Sequence, residues 1–210
     1  MEVIFYLCTL IIVYTYAVYP LLIFCLAGCR PKINSIALTK KIPEVTVVIA
    51  VHNGEEYIKD KIESIYSQSY PKDKLKIVFI SDGSDDSTVS LIKQYPEIRL
   101  LENNTRKGKA FALNKAVSAV DTQYIIFTDI RQRLSSNAIS LLIQQLNNDS
   151  VGAVSGELVL GGADGNASKQ IGLYWRYEKF IRKSESRYKS VPGVTGALYA
   201  IKKKDYRDLE

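Results

Sequence analysis

The chain has 210 residues, and its 28 lysines and arginines outnumber its 22 aspartates and glutamates, which gives a formal net charge of +6. Its length suffices for one domain with a buried core plus an accessory segment, and its ordinary composition excludes a disordered chain. No long basic run is interleaved with aromatic residues, so we expect no nucleic-acid partner, and its three cysteines, all within the first 29 residues, exclude a disulfide scaffold.

The N-terminal segment predicts a membrane anchor. No residue between Glu2 and Arg30 is charged, and this stretch exceeds the roughly 20 apolar residues that cross a bilayer. A cleaved signal peptide is the alternative, but such a peptide has a basic start and a shorter apolar core. Because the basic residues here follow the span, the positive-inside rule places the next domain in the cytoplasm. We therefore interpret residues 1–29 as a single-pass anchor in the cell membrane and residues 30–43 as a linker.

Strands and helices alternate in the remaining chain, residues 44–210. The predicted strands are residues 45–51, 75–80, 98–101, 124–128, 151–160 and 193–201. The predicted helices are residues 55–68, 85–95, 107–120, 135–146 and 168–187. The first strand is a continuous run of apolar, mostly β-branched residues, as expected for a strand that is buried on both faces. This alternation predicts an α/β fold, with a mainly parallel sheet and helices on both of its faces.

Polar residues follow three of the predicted strands at their carboxyl ends. Residues 52–56 follow the first strand, residues 81–88 the second, and residues 129–131 the fourth. Since ligands bind outside the carboxyl ends of strands in open parallel sheets, we expect these groups to share one crevice. Acidic turns of this kind also cap helices, so capping by Asp82 and Ser84 is an alternative role.

Several common enzyme classes lack their motifs here. The sequence contains no Walker-type phosphate loop, no dinucleotide-binding glycine pattern after the first strand, and no G-x-S-x-G elbow. His52 is the only histidine, so a Ser-His-Asp triad is not expected. A nucleotidyltransferase stays an alternative, although residues 52–56 do not form the glycine-rich basic loop that follows the first strand in that class.

Five segments resemble, in order and spacing, the motifs of glycosyltransferase family 2, whose domains have the GT-A fold. These segments are residues 47–55, 80–88, 106–114, 127–131 and 193–200. With the anchor before them, they resemble the membrane-bound branch that includes hyaluronan, chitin and cellulose synthases. The resemblance implies inverting transfer of a sugar from a nucleotide sugar, expected to be a uridine diphosphate (UDP) sugar, to a saccharide or lipid-linked acceptor at the membrane.

The resemblance also implies roles for individual residues in donor binding. Ala50 and His52 occupy positions that hold the base, and Asp82 matches the acid that accepts a hydrogen bond from the uracil imide. Glu55 is expected near the ribose. Lys109 matches the lysine that reaches the donor diphosphate, for which a compact ammonium is suited.

A departure from the family pattern affects the expected metal. Asp129 matches the first acid of the DxD motif, which works with a divalent cation, Mg²⁺ or Mn²⁺, that neutralises the diphosphate. Arg131 stands where the second acid is expected, and a guanidinium binds phosphate oxygens but not cations. We therefore expect Asp129 as the metal ligand, Arg131 among the donor-binding residues, and a weaker dependence on metal. A surface position for Arg131 is the alternative.

The catalytic base matches no residue of the chain. In this family the acid that takes the acceptor proton follows the strand that matches residues 196–201. Asp205, Asp208 and Glu210 lie nearby but match no motif, so the base and further membrane helices are expected beyond Glu210. A non-catalytic, membrane-anchored protein that binds a nucleotide sugar is the remaining alternative.

Overall fold

The chain folds into two units. The structure, a computed structural model, describes residues 1–30, 42–157 and 166–210. For residues 166–171 and 173 it describes the backbone but not the side chains. One unit combines the N-terminal helices with residues 166–193, and the other combines residues 42–157 with residues 194–210. The predicted linker, residues 30–43, lies almost entirely outside the described residues.

The first unit begins with a long apolar helix. Helix α1 (Glu2–Val13), a π-helical turn (Tyr14–Val18) and helix α2 (Tyr19–Gly28) form one span of 27 residues, which contains an 18-residue stretch with a mean hydropathy of 2.2. Most of its side chains are exposed. Its length and composition are sufficient to cross a membrane, and a signal sequence has the same properties.

Helix α7 (Asn166–Tyr188) packs against α2. Pro20 has no N–H to offer the carbonyl of Tyr16 one turn earlier, and this oxygen accepts a hydrogen bond from the hydroxyl of Tyr177 at 2.8 Å. The hydroxyl of Tyr19 donates to the buried carboxylate of Glu185 at 2.5 Å. Ring contacts and two tyrosine hydroxyls therefore join these helices, with the rings of Phe24 and Phe180 5.4 Å apart.

The second unit is built on a sheet of six strands among the described residues. They are β1 (Val45–Val51), β2 (Leu75–Asp82), β3 (Arg99–Asn103), β4 (Tyr124–Thr128), β5 (Ala153–Ser155) and β6 (Leu198–Lys202). Their order is β3-β2-β1-β4-β6-β5, with β1 to β4 parallel and β6 antiparallel to both of its neighbours. The predicted mainly parallel α/β fold is confirmed. Residues 158–160, the end of a predicted strand, lie outside the described residues.

Helices cover both faces of this sheet. They are α3 (Glu55–Tyr66), α4 (Thr88–Ile92), α5 (Lys109–Ser118) and α6 (Ala138–Leu146), with short 3₁₀ turns at Lys72–Lys74 and Lys203–Asp205. Successive side chains of a strand point to opposite faces. Val47 and Ile49 therefore join the core with α3, α4 and α6, whereas Val48 joins the core with α5. Strand β1 is buried on both faces, as its β-branched run predicts.

The direction of the strand order reverses next to β1. The chain places β2 on one side of β1 and then returns to place β4 on the other side. A crevice opens at the carboxyl edge of a parallel sheet where the connections diverge in this way. The residues after β1 and after β4 therefore lie on the two sides of this crevice.

Candidate functional site

Hydrogen bonds join the loops after β1 and β2. Nδ1 of His52 lies 2.9 Å from the carbonyl oxygen of Asp82, and because a carbonyl only accepts, Nδ1 carries the proton. The amide of Asn53 donates to the carboxylate of Asp85 at 2.6 Å and accepts from the backbone N–H of Asp85 at 3.0 Å. The first two strand ends therefore meet, as predicted.

Two carboxylates cap the N-terminus of α4. Glu55 accepts a hydrogen bond from the N–H of Ser87 at 2.9 Å, and Asp86 accepts one from the N–H of Thr88 at 3.0 Å. Burial acts to raise the pKa of Asp86, but its hydrogen bonds outweigh burial and lower the pKa. Since Glu55 and Asp86 supply these caps, the alternative role of Asp82 as the cap of this helix is wrong.

The carboxylate of Asp82 instead organises the loop that leads into α5. Its Oδ1 accepts hydrogen bonds from the side chain of Asn103 and the N–H of Lys107, both at 2.9 Å. Its Oδ2 accepts one from the N–H of Gly108 at 2.8 Å. Burial acts to raise the pKa of Asp82, but these bonds from Asn103, Lys107 and Gly108 hold it below its usual value. Asp82 is 4% exposed, and Oδ2 keeps acceptor capacity for one more donor.

Two glycines allow this loop to approach the end of β2. Gly83 has a φ of +68°, and a Cβ atom on it would lie 2.5 Å from the backbone nitrogen of Arg106. Gly108 has a φ of +94°, a left-handed backbone that residues with side chains rarely adopt. The sequence motifs signal these glycines, but the contact between residues 83 and 106 depends on the fold.

Lys109 and Asp129 form an ion pair at the end of β4. Their side chains are 53% and 38% exposed, so water screens the pair and its contribution to stability is small. The backbone of Gly108 bonds to Asp82 while the ammonium of Lys109 bonds to Asp129. Residues 108 and 109 therefore contact the ends of both β2 and β4.

A cleft of about 440 Å³ lies beside this pair. Its lining includes Ala50, Lys109, Thr128, Asp129, Gly196 and Tyr199. The ring of Tyr199 stacks on Phe127 at 4.7 Å, and burial raises the pKa of Tyr199 to about 12, which keeps its hydroxyl neutral. Three of the predicted donor-binding residues line this cleft, whereas His52, Glu55, Asp82 and Arg131 do not.

Arg131 lies against helix α3. Its guanidinium carbon is 5.6 Å from the centre of the Tyr57 ring, which is cation–π geometry. This is the arrangement that the surface alternative describes. The role of Arg131 in donor binding stays a prediction.

The described residues offer a divalent cation few ligands. They contain no group of three or more His, Cys, Asp or Glu side chains that could hold a metal ion. Asp129 supplies one exposed carboxylate, and Mg²⁺ commonly binds through one or two carboxylates together with phosphate oxygens and water. Asp129 therefore fits a cation that binds together with a diphosphate, but not a cation held by protein side chains alone.

Three buried polar residues on α3 and just after it were not predicted from the sequence. Lys61, Ser64 and Gln68 are 1%, 4% and 7% exposed; Lys61 and Ser64 share one face of the helix, and Gln68 lies two residues after its end. All three bond to the segment after β4. Their partners are Thr128 and Gln132 for Lys61, Leu134 for Ser64, and Ser135 and Ile139 for Gln68. The only sequence signal is polar residues interrupting an apolar helical face.

The strand order and the residues at the carboxyl edge together define a class of protein. A mainly parallel sheet with an antiparallel β6, and polar residues such as Lys109 and Asp129 at its carboxyl edge, match the arrangement expected of a GT-A domain. This confirms the fold class that the sequence predicts.

Comparison with known proteins then gives the family. The profile described as "Glycosyl transferase family 2" matches residues 46–210, and the chain belongs to this family. The resemblance found in the motifs is therefore confirmed, and the nucleotidyltransferase alternative is wrong.

Relatives and solved structures agree with this assignment. A mannosyltransferase from Pyrobaculum calidifontis, solved in complex with GDP-Man and Mn²⁺, has 27% identity and a TM-score of 0.73, over 92% of this chain and 55% of that chain. The probable glycosyltransferase YdaM of Bacillus subtilis is 31% identical over 126 residues, which are 56% of this chain and 30% of the relative. Poly-beta-1,6-N-acetyl-D-glucosamine synthase of Staphylococcus epidermidis is 24% identical over 175 residues, 81% of this chain and 42% of the relative. The chain thus spans less than half the length of these two curated relatives.

Proposed function

We propose that this chain is the donor-binding part of a glycosyltransferase that takes a sugar from a UDP-sugar and passes it to a saccharide or lipid-linked acceptor at the membrane. The observation that carries this proposal is the ion pair of Lys109 and Asp129 in a cleft at the carboxyl end of β4. Family membership supports the reaction type.

The ion pair supplies the charges that a leaving nucleoside diphosphate needs. Negative charge grows on the diphosphate as the sugar departs, and a cation at that position stabilises the transition state. Lys109 is half-exposed, so its ammonium can turn from Asp129 to the diphosphate at little cost. Asp129 then binds a divalent cation, Mg²⁺ or Mn²⁺, which supplies further positive charge when it is bound.

We assign recognition of the base to the loops after β1 and β2, which hydrogen bonds join to each other. The remaining acceptor position on Oδ2 of Asp82 suits an imide N–H, which uracil and guanine carry but cytosine and adenine lack. The imidazole of His52 is held by its bond to Asp82 and offers a flat ring for stacking. Ala50 leaves room in the cleft, and Glu55, which caps α4, is assigned to the ribose side.

The apolar helix Glu2–Gly28 is assigned as the anchor. Its 18-residue stretch with a mean hydropathy of 2.2 and its exposed side chains support a position in the membrane. By the positive-inside rule, the basic residues that follow it support a cytoplasmic position of the donor-binding domain.

Calorimetric titration of the full chain in detergent tests the donor site. Replacing the ammonium in Lys109→Met removes a charge-assisted bond to phosphate, so UDP affinity with Mn²⁺ is expected to fall roughly 10- to 100-fold. Lys107→Met is the matched control, since it removes the same charge two residues away, where the ammonium lies 4.5 Å from the centre of the Phe111 ring. Equal affinities of the two variants would reject this diphosphate site.

A further inference from the structure

A fully buried lysine lies beneath the loop that carries Asp129. Lys61 is 1% exposed, on the face of α3 that otherwise contributes isoleucines to the core. Its ammonium donates to the hydroxyl of Thr128 at 2.7 Å and to the carbonyl of Gln132 at 2.6 Å. It does not line the cleft, and the donor chemistry described above does not use it.

The two acceptors stand on either side of the segment 129–131. One nitrogen atom of Lys61 therefore bridges the start and the end of the loop that presents Asp129. The hydroxyl of Thr128 donates in turn to the carbonyl of Ala197 at 3.1 Å, and the N–H of Asp129 donates to the same carbonyl at 3.2 Å. A continuous chain of hydrogen bonds thus connects α3, the end of β4 and the segment before β6.

Core packing alone does not call for a lysine at this position. Removing an ammonium from water is unfavourable, whereas an apolar side chain such as those of Ile58 and Ile62 fills the same layer without this penalty. Burial lowers the pKa of Lys61 to about 7, while the negative charge of Asp129 acts in the opposite direction. The hydrogen bonds and the neighbouring carboxylate are the compensation that the surroundings offer.

The two lysines near Asp129 differ in exposure. Lys109 is half-exposed and is the group assigned to the diphosphate. Lys61 is enclosed and cannot follow a ligand. When Lys109 turns to the donor, Asp129 loses its ion pair, and the contacts of Lys61 are left to hold the position of the loop.

We propose that Lys61 is a positioning residue of the donor site, which fixes the loop 129–131 so that Asp129 is presented to the metal and the diphosphate. This inference rests on the proposed function, because it assigns a role within the same site. Groups that orient a metal ligand in this way affect metal affinity by about 10- to 100-fold when they are removed.

The first test compares two variants of the full chain. Lys61→Met keeps an unbranched side chain that is one atom shorter, and it removes both hydrogen bonds. Ser64→Ala is the matched control, because Ser64 is equally buried one turn along α3 and accepts a bond from the N–H of Leu134 at 2.7 Å. Both variants are expected to lower the midpoint of thermal unfolding. Calorimetry below that midpoint should show UDP–Mn²⁺ affinity about 10- to 100-fold weaker in Lys61→Met and within about twofold of wild type in Ser64→Ala.

A second pair of variants decides the question if Lys61→Met does not fold. Thr128→Val removes the hydroxyl that links Lys61 to Ala197, and Thr128→Ser keeps it. Affinity should fall in the valine variant and recover in the serine variant. Where Lys61→Met folds, its loss and that of Thr128→Val should not add in the double variant, because both break the same chain.

The outcomes separate this inference from the proposed function. Wild-type affinity in Lys61→Met, or in Thr128→Val when Lys61→Met does not fold, overturns the role of Lys61 and leaves the donor site intact. Fully additive losses overturn it as well. Absence of UDP binding by the wild-type chain overturns the proposed function itself.

Discussion

Substituting Asp82 by asparagine separates the role of this residue in the fold from its role in binding. The change keeps the shape of the side chain and one oxygen, which still accepts from Asn103 and Lys107. The second oxygen becomes an NH₂ group that faces the N–H of Gly108. The new NH₂ group and the N–H of Gly108 are both donors, and they then face each other at a side chain that is only 4% exposed.

The magnitude follows from the hydrogen bonds that are lost. A bond to a charged acceptor contributes about 1.5–3 kcal/mol, and a buried N–H without an acceptor costs about 1–3 kcal/mol. The two estimates describe partly the same loss and are not added in full. We therefore expect Asp82→Asn to lower the free energy of local opening by about 3 kcal/mol. Hydrogen exchange at the amide of Gly108 should therefore become roughly 100-fold faster.

Amide hydrogen exchange on the full chain measures this change at Lys107 and Gly108. Asp121→Asn makes the same chemical change at an exposed aspartate and serves as the control. Because hydrogen bonds lower the pKa of Asp82, its stabilising contribution is present above the usual value of 3.8 and is lost as the pH falls through the lowered value. Asp82→Asn should abolish that part of acid destabilisation. Unchanged exchange at Gly108, together with lost UDP binding, would refute the role of Asp82 in the loop and leave it only as a ligand contact.

Three further outcomes are expected. Arg131→Asp decides between the predicted donor-binding role of Arg131 and its position over Tyr57: metal-free UDP affinity falls if the guanidinium binds phosphate, and an unchanged value leaves Arg131 as a surface residue. The carboxylate added beside Asp129 should strengthen Mn²⁺ binding, and calorimetry with chelator and with Mn²⁺ measures both effects. In competition for the donor site, UDP should bind at least about tenfold more tightly than CDP or ADP, since the carboxylate of Asp82 accepts from an imide N–H; GDP competing better than UDP would reassign the base. Mass spectrometry of the membrane fraction should find residues 3–29 intact, and a cleaved N-terminus would reject the anchor.

The centre of the sheet could be predicted from the sequence because β1, β2 and β4 are short apolar runs whose residues are mostly buried. The bounds of α4 could not be predicted. The pattern predicts a helix over residues 85–95, but the helix is Thr88–Ile92, since Asp85 and Asp86 bond to the loop after β1 instead of entering it. The predicted strand 193–201 likewise reduces to Leu198–Lys202.

The candidate site could also be predicted only in part. Lys109 and Asp129 were predicted from motifs, and the fold brings them into contact. The loop-holding bonds of Asp82 join residues 25 and 26 positions apart, and no local pattern encodes such a distance. Lys61 was missed because a lysine in a helix normally reaches water, and its burial depends on Gln132, 71 residues further along the chain.

The packing of α7 on α2 also has a consequence for the depth of the anchor. In the proposed anchor, charged side chains of α7 such as Arg182 and Arg187 stay outside the hydrocarbon layer, because burying a charge there is costly, so the part of the N-terminal helix beside them is expected near the lipid headgroups. The stretch Glu2–Val18 then remains for the hydrocarbon layer, and at 1.5 Å per residue it is about 26 Å long, close to the thickness of that layer. For the proposed anchor we therefore expect one membrane surface near Tyr19, with α2 and α7 lying together at the boundary between lipid and water.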